Sequence, residues 1–190
     1  MDAAQQGHRQ VLEFWFGDMS APRPQWFVKD PAFDREIETR FGSLIEKALA
    51  GGCADWVGGP RPALAFVILL DQFTRNVFRD TPRAFAGDPQ ALAAARRIVS
   101  EGWDRKLEPM ERWFCYLPFE HSEALADQQE SLRLFGRLRD DPQAGGAFQW
   151  AQSHHDVIAR FGRFPHRNEI LGRESTAEEI EFLRQPGSRF

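Results

Sequence analysis

Eight consecutive apolar residues, Ala63 to Leu70, constrain this chain more than any other stretch. They open a helical pattern running from about Pro62 to Phe78, and over them no face is polar. A helix that is apolar all round has to be enclosed on every side, so the rest of the chain must supply the elements that wrap it. The run falls well short of the roughly 18 apolar residues needed to span a bilayer. It is a core helix.

The wrapping elements also read as helices. Asp30-Pro31, Asp88-Pro89 and Asp141-Pro142 each set a capping carboxylate before a proline. Proline suits the first helical position, where its missing N–H would have no partner in any case. Glu108-Pro109 is a weaker version. After Asp30, Phe33, Ile37, Phe41, Leu44, Ile45 and Ala48 recur at helical spacing up to Gly51-Gly52; after Asp88, Ala91, Leu92, Ala95, Ile98 and Val99 do so up to Gly102. The pattern predicts a short helix over 109–117 ending at Pro118, a longer one over about 119–138, and another over about 146–161 stopped by Gly162. A last helix opens at Ser175, where Ser175 and Glu178 form a capping box. Residues 11–16 read as helix, since no partner strand is visible. The connections are short, so neighbouring helices are expected to pack antiparallel as hairpins in one all-helical domain over residues 1–190.

Seventeen Phe and six Trp against a single Tyr demand a thick core or a ring-lined groove. The net charge of −4 argues against general nucleic-acid binding. No stretch suggests a membrane span, and the first ten residues lack the basic and apolar parts of a signal peptide. Cys53 and Cys115 show no framework spacing, and Cys115 lies among aromatic residues, which points to reduced thiols and a cytoplasmic setting.

Three segments break the structural pattern. In the first, the buried helix turns polar: Gln72, Arg75, Asn76 and Arg79 share one face, and Asp71 is placed to pair with Arg75 one turn on. Polar groups on a core helix need partners, because each one left unpaired costs about 1–3 kcal/mol. They form either a ligand wall or an internal network. In the second, a helix starting at Pro118 puts Glu120, His121 and Glu123 in its first turn. The helix dipole favours the two carboxylates there but not His121. A neutral His121 bonded to a carboxylate is a base, a ligand or a buried donor. The third runs from Arg160 to Arg173 and holds four Arg and one Glu in an acidic chain. Arginine forks suit carboxylate or phosphate. Capping of the preceding helix accounts for one or two of them, but hardly for Arg163, His166, Arg167 and Asn168 together. His154 and His155 lie on the helix before, about 100° apart, so they do not share a metal. No HExxH, Cys cluster or phosphate-cradling Gly loop is present, and the residues specify no cofactor.

LLDQFTRNVFR, YLPFEHSE and FGRFPHRNEILGREST closely resemble the bacterial family called domain of unknown function nine hundred and twenty-four. The likeness extends from VLEFWF at 11–16 to EEIEFL at 178–183. It implies an all-α fold of antiparallel hairpins in a tetratricopeptide-like superhelix, and it implies no activity. The family pattern has one His before the Arg-rich turn. His154 matches it by its spacing to Phe161, and His155 is a local variation.

Three functional readings follow. In the first, Gln72, Arg75, Asn76, Glu120, His121, His154, Arg163, His166, Arg167 and Asn168 converge on a pocket for a small anionic molecule. His121 or His166 is then its acid or base, positioned by Glu120 or Glu123. In the second, the helices present a ring-lined groove to a peptide or protein. In the third, His121, His154 and His166 join Asp71 or Glu120 in a metal-dependent hydrolase.

Overall fold

The structure is a computed structural model that describes residues 3–19 and 21–189. All regular structure among them is helical. No helix of these residues is long and apolar enough to cross a membrane.

The apolar run forms α3 (Pro60–Val67), with Ala63 to Leu70 all buried, most of them completely. It continues into a π-helical segment, Ile68–Phe73, and a last turn, α4 (Thr74–Val77). A π segment widens the turn and shifts the backbone pairing from i−4 to i−5. Two carbonyls in this stretch take side-chain donors: the Thr74 hydroxyl donates to Leu70 O at 2.7 Å, and Arg75 to Asp71 O at 2.8 Å.

Around this axis pack α1 (Ala3–Phe16), α2 (Pro31–Leu49), α5 (Asp88–Ser100) and α6 (Pro109–Glu120); α7 (Leu125–Phe135) and α8 (Ala147–Phe161) follow on α6. α2 begins as expected, the Asp30 carboxylate accepting from Ala32 and Phe33 N–H. The aromatic residues go mostly into the core. Trp15 meets the edge of Phe114 at 5.5 Å and the ring of Phe73 at 5.6 Å, and Phe14 stacks on Phe33 at 5.2 Å. Cys115 is fully buried, and its thiol is pushed up by that burial.

Several boundaries differ from the sequence pattern. Pro118 does not start a helix. α6 runs through it to Glu120, with His121 as its C-cap, and the next helix begins only at Leu125. Gln128 of α7 holds this end, its amide donating to Glu120 O at 2.6 Å and Ser122 O at 2.7 Å. Exposed carbonyls at a helix end need such a donor, and a packed neighbour supplies it where local sequence predicts a break. Asp88 does not cap α5: Gly87 is the N-cap, and the Asp88 carboxylate goes to Arg75. Asp141 caps its own turn, accepting from Gln143 and Ala144 N–H, and α8 starts later, at Ala147. The capping box before α9 (Ala177–Leu183) sits one residue on, between Thr176 and Glu179.

Gly87 lies directly against the π segment. A Cβ there would stand 2.2 Å from Leu70 O. This contact is backbone on backbone, and no side chain can move to relieve it. Gly87→Ala is expected to cost about 1–3 kcal/mol, as overpacking does, read as a lower urea midpoint. A midpoint equal to the parent's would show that α5 does not need this close approach.

Candidate functional site

The π segment carries Asp71 and Gln72 into the interior, where Asp71 is fully buried. Its carboxylate accepts from His121 Nδ1 at 2.7 Å and from Gln72 Nε2 at 2.5 Å, and Arg75 stands 3.4 Å away. His121, ending α6, thus points its Nδ1–H at a carboxylate. That fixes the tautomer and leaves the lone pair on Nε2, the arrangement that orients a catalytic imidazole. The carboxylate against His121 is therefore Asp71, where sequence reasoning named Glu120 or Glu123. Burial works against ionisation of Asp71, but His121 and Arg75 outweigh it and hold the carboxyl well below its usual range. Burial and Arg75 lower His121, while Asp71 opposes them.

Arg75 spans the cluster. It pairs in bidentate fashion with Asp88, at 2.7 and 3.0 Å. Phe85 packs against both Arg75 and Arg167, whose guanidinium carbons lie 5.5 and 4.7 Å from its ring; Arg167 also lies 4.5 Å from the ring of Phe164. The Arg167 side chain is only 8% exposed, and its nearest carboxylate, Asp88, is 3.9 Å off. No acceptor lies within hydrogen-bond distance of its Nε among the described residues. Burial, then Arg75, lowers it to about 10, so it is charged at neutral pH.

Glu120 occupies the last turn of α6, not the first turn of a following helix. Its dipole expectation is thereby reversed, since carbonyl ends disfavour carboxylates. It is buried, with Oε1 3.2 Å from His154 Nδ1 and Oε2 without a partner. The distance is that of an ion pair, yet both groups are driven towards neutrality. Burial, then Asp71, raises Glu120 well above its usual value, and burial, then His121, lowers His154 to about 3. The Trp150 carbonyl also faces His154 Nδ1, at 2.9 Å. It requires a proton on that nitrogen, which a neutral imidazole provides. We read the pair as neutral: Glu120 keeps its proton, and His154 Nδ1–H is shared between two oxygens. The ring of His154 packs edge-on against Phe164 at 5.5 Å, and His166 lies 5.6 Å from the same ring. His166 is lowered to about 4 by burial, then Arg167.

The cluster thus comprises Asp71, Gln72, Arg75, Asp88, Glu120, His121, His154, His166 and Arg167, around Phe85 and Phe164. Of the other residues named from sequence, Asn76, Arg163 and Asn168 are engaged elsewhere, and Glu123 borders the cluster through Phe164. Asn76 donates to Asp34 at 2.7 Å, beside Arg79. Arg163 grips Glu179 at 2.6 Å, and Asn168 bonds Ser175 at 3.0 Å, so both tie down the turn before α9. Glu123 accepts from Phe164 N–H and pairs with Arg173. Among the described residues, no three His, Cys, Asp or Glu side chains are grouped to hold a metal ion.

An open cleft of about 400 Å³ lies away from this cluster, against α1, lined by His8, Arg9, Leu12, Phe16 and Arg61. Arg61 there is already committed to Glu111 at 2.6 Å. Volume and chemistry therefore point to different places. We assign the site by chemistry, because the cluster combines an oriented imidazole, a buried acid held towards its neutral form and a buried guanidinium whose carboxylate neighbour is shared with Arg75.

A family model described as "Bacterial protein of unknown function (DUF924)" matches residues 11–187. A solved structure of a protein of unknown function from Agrobacterium tumefaciens is similar, with 38% identity and a TM-score of 0.85 over 96% of this chain and 98% of that one. No curated protein matches.

Proposed function

The chain belongs to the bacterial family of unknown function DUF924, and from the geometry of its buried cluster we propose that it binds a small anionic molecule at Arg167 and acts on it by acid–base chemistry. The single observation that carries this reading is the Arg167 guanidinium, buried and charged with no acceptor on Nε. Its carboxylate neighbour, Asp88, stands 3.9 Å from Nη1 and is bound at 2.7 and 3.0 Å by Arg75, so the buried charge is only partly compensated, and a ligand anion at Nε supplies a further partner.

The neighbouring groups fit proton transfer. Two buried carboxyls are pushed in opposite directions, Asp71 down and Glu120 up, and such a divergence separates an electrostatic or positioning carboxylate from an acid. His121 acts as base through Nε2, with Asp71 steadying the imidazolium that forms. Glu120 acts as acid, and its Oε2 has no protein partner to give up.

The test is a thermal-shift screen of the protein beside Arg167→Ala, against small mono-, di- and tricarboxylates, phosphate, sulfate and phosphate esters. A ligand at a hundredfold excess over its Kd stabilises by about 2.7 kcal/mol. At least one anion class is expected to raise the melting temperature of the parent and not of the variant. A screen in which no anion shifts the parent, or in which every shift persists in the variant, would overturn the proposal.

A further inference from the structure

Resting on that reading, we propose that Glu123 and Arg173 are positioning residues of the site: their ion pair holds the Phe164 ring against Arg167 and His154. Phe164 stands between helices in extended backbone, at φ −88° and ψ 108°, and Pro165 after it restricts it to that region. Outside a helix its backbone groups need partners from elsewhere. One ion pair reaches both of them. Glu123 Oε1 accepts the Phe164 N–H at 2.8 Å, and Arg173 Nη2 donates to the Phe164 carbonyl at 3.1 Å, beside the Arg167 N–H. The pair itself is bidentate, Nη1 to Oε2 at 2.7 Å and Nη2 to Oε1 at 2.9 Å, and Arg173 Nε donates to Asn168 Oδ1 at 2.9 Å.

A surface ion pair contributes little to stability as a rule, and these two side chains are 24% and 29% exposed. Their placement counts for more than their strength. Glu123 lies two residues past His121, in the turn that follows α6, whereas Arg173 lies past the segment that carries His166 and Arg167. The pair therefore ties one half of the cluster to the other, and what it grips at the junction is Phe164. That ring is fully buried, 4.5 Å from the Arg167 guanidinium, 5.5 Å from His154 and 5.6 Å from His166. A ring fixed at its backbone limits where these three side chains can stand. The neighbouring arginines do different work: Arg163 grips Glu179 and Arg160 grips Glu178, and both fasten α9.

The experiment compares the parent with Glu123→Ala, Glu123→Gln and, as a control on the same segment, Arg160→Ala. The NMR signals of the His154 and His166 rings and of the Arg167 Nε–H are followed first without ligand, and acetate, succinate and phosphate are then titrated in. Glu123→Ala is expected to shift all three signals. It should also raise the half-saturating concentration of the probe that binds the parent best by about 3- to 30-fold, the range spanned by loss of one buried ring–guanidinium contact. Glu123→Gln keeps an oxygen for the Phe164 N–H, so its signals stay nearer the parent's. Arg160→Ala leaves them in place, and equal shifts there would mean that any cut in this segment disturbs the ring. Should Glu123→Ala not fold, Arg173→Lys takes its place, since Lys keeps the charge and loses the fork. A lower urea midpoint with unmoved signals would make the pair a fastening only, and so would moved signals with unchanged anion affinity. Either result overturns the inference and leaves anion binding at Arg167 standing. If no probe binds the parent, the proposed function itself falls, and this inference with it.

Discussion

Replacing Asp71 by Ala is expected to destabilise the protein by about 3–5 kcal/mol, the cost of breaking a buried ion pair from one side, with a correspondingly lower urea midpoint. The expectation follows from what Asp71 holds. It is fully buried, and three donors, on His121, Gln72 and Arg75, face its two oxygens. Truncation leaves all three without this acceptor at a fully buried position, although Arg75 keeps Asp88. Asp71→Asn should behave differently. Its carbonyl oxygen still accepts from His121, and its amide faces Gln72, which can turn to present an oxygen. That change is expected to cost about 1–2 kcal/mol, close to the loss of one charged hydrogen bond. It removes the negative charge beside His121, so the His121 pKa falls further. Urea unfolding and an NMR titration of His121 separate the two effects. An Asp71→Ala protein within 1 kcal/mol of the parent would mean that the cluster is loosely packed or wet, and the assignment of an oriented imidazole would fail.

The helices were largely legible because their signal is local. Spacing of Phe33, Ile37, Phe41 and Ile45 locates α2, Asp30 caps it, and the Ala63–Leu70 run locates the buried axis. What misled was chemistry that local sequence and tertiary contacts both claim. Asp88-Pro89 has the form of a capping pair, yet Gly87 lies so close to Leu70 that the Asp88 carboxylate is delivered to Arg75 instead. Pro118 has the form of a break, yet Gln128 secures the carbonyls beyond it. The site was legible in part. The change from apolar to polar after Leu70 marks Asp71, Gln72 and Arg75, and the family motifs mark His121, His154 and Arg167. That Asp71 orients His121, across 50 residues of sequence, had no signal beyond its place at the end of the apolar run. The stacking of Phe85 and Phe164 on Arg167 had none. Excess arginine misled in the same way: Arg163 and Arg173 look free in sequence and are paired with Glu179 and Glu123 in space.

Glu120→Gln is expected to make the protein more stable at neutral pH while abolishing proton donation. Glu120 is surrounded by Asp71, His121 and His154, and burial with the Asp71 charge raises its pKa well above the usual value. In the unfolded chain the same carboxyl ionises near 4.3. Between these two pKa values folding must take up a proton, and each pH unit in that window removes about 1.4 kcal/mol of stability. The full stability is present below the unfolded pKa and is lost as pH rises towards the folded one. Gln is the uncharged isostere of the protonated acid and does not titrate, so the variant escapes this loss. The variant is therefore expected to melt higher than the parent at pH 7, by about 2–4 °C for each kcal/mol recovered in a chain of this size. At pH 4, where the acid is mostly protonated in both states, parent and variant should nearly coincide. The opposite pattern has a clear meaning. A variant less stable than the parent at pH 7, with the gap closing on acidification, would show Glu120 ionised against a protonated His154, and the acid assigned to the site would be lost. A stabilised Glu120→Gln that still binds the anion proposed for Arg167 would instead place Glu120 among the groups that a protein keeps for chemistry at the expense of stability.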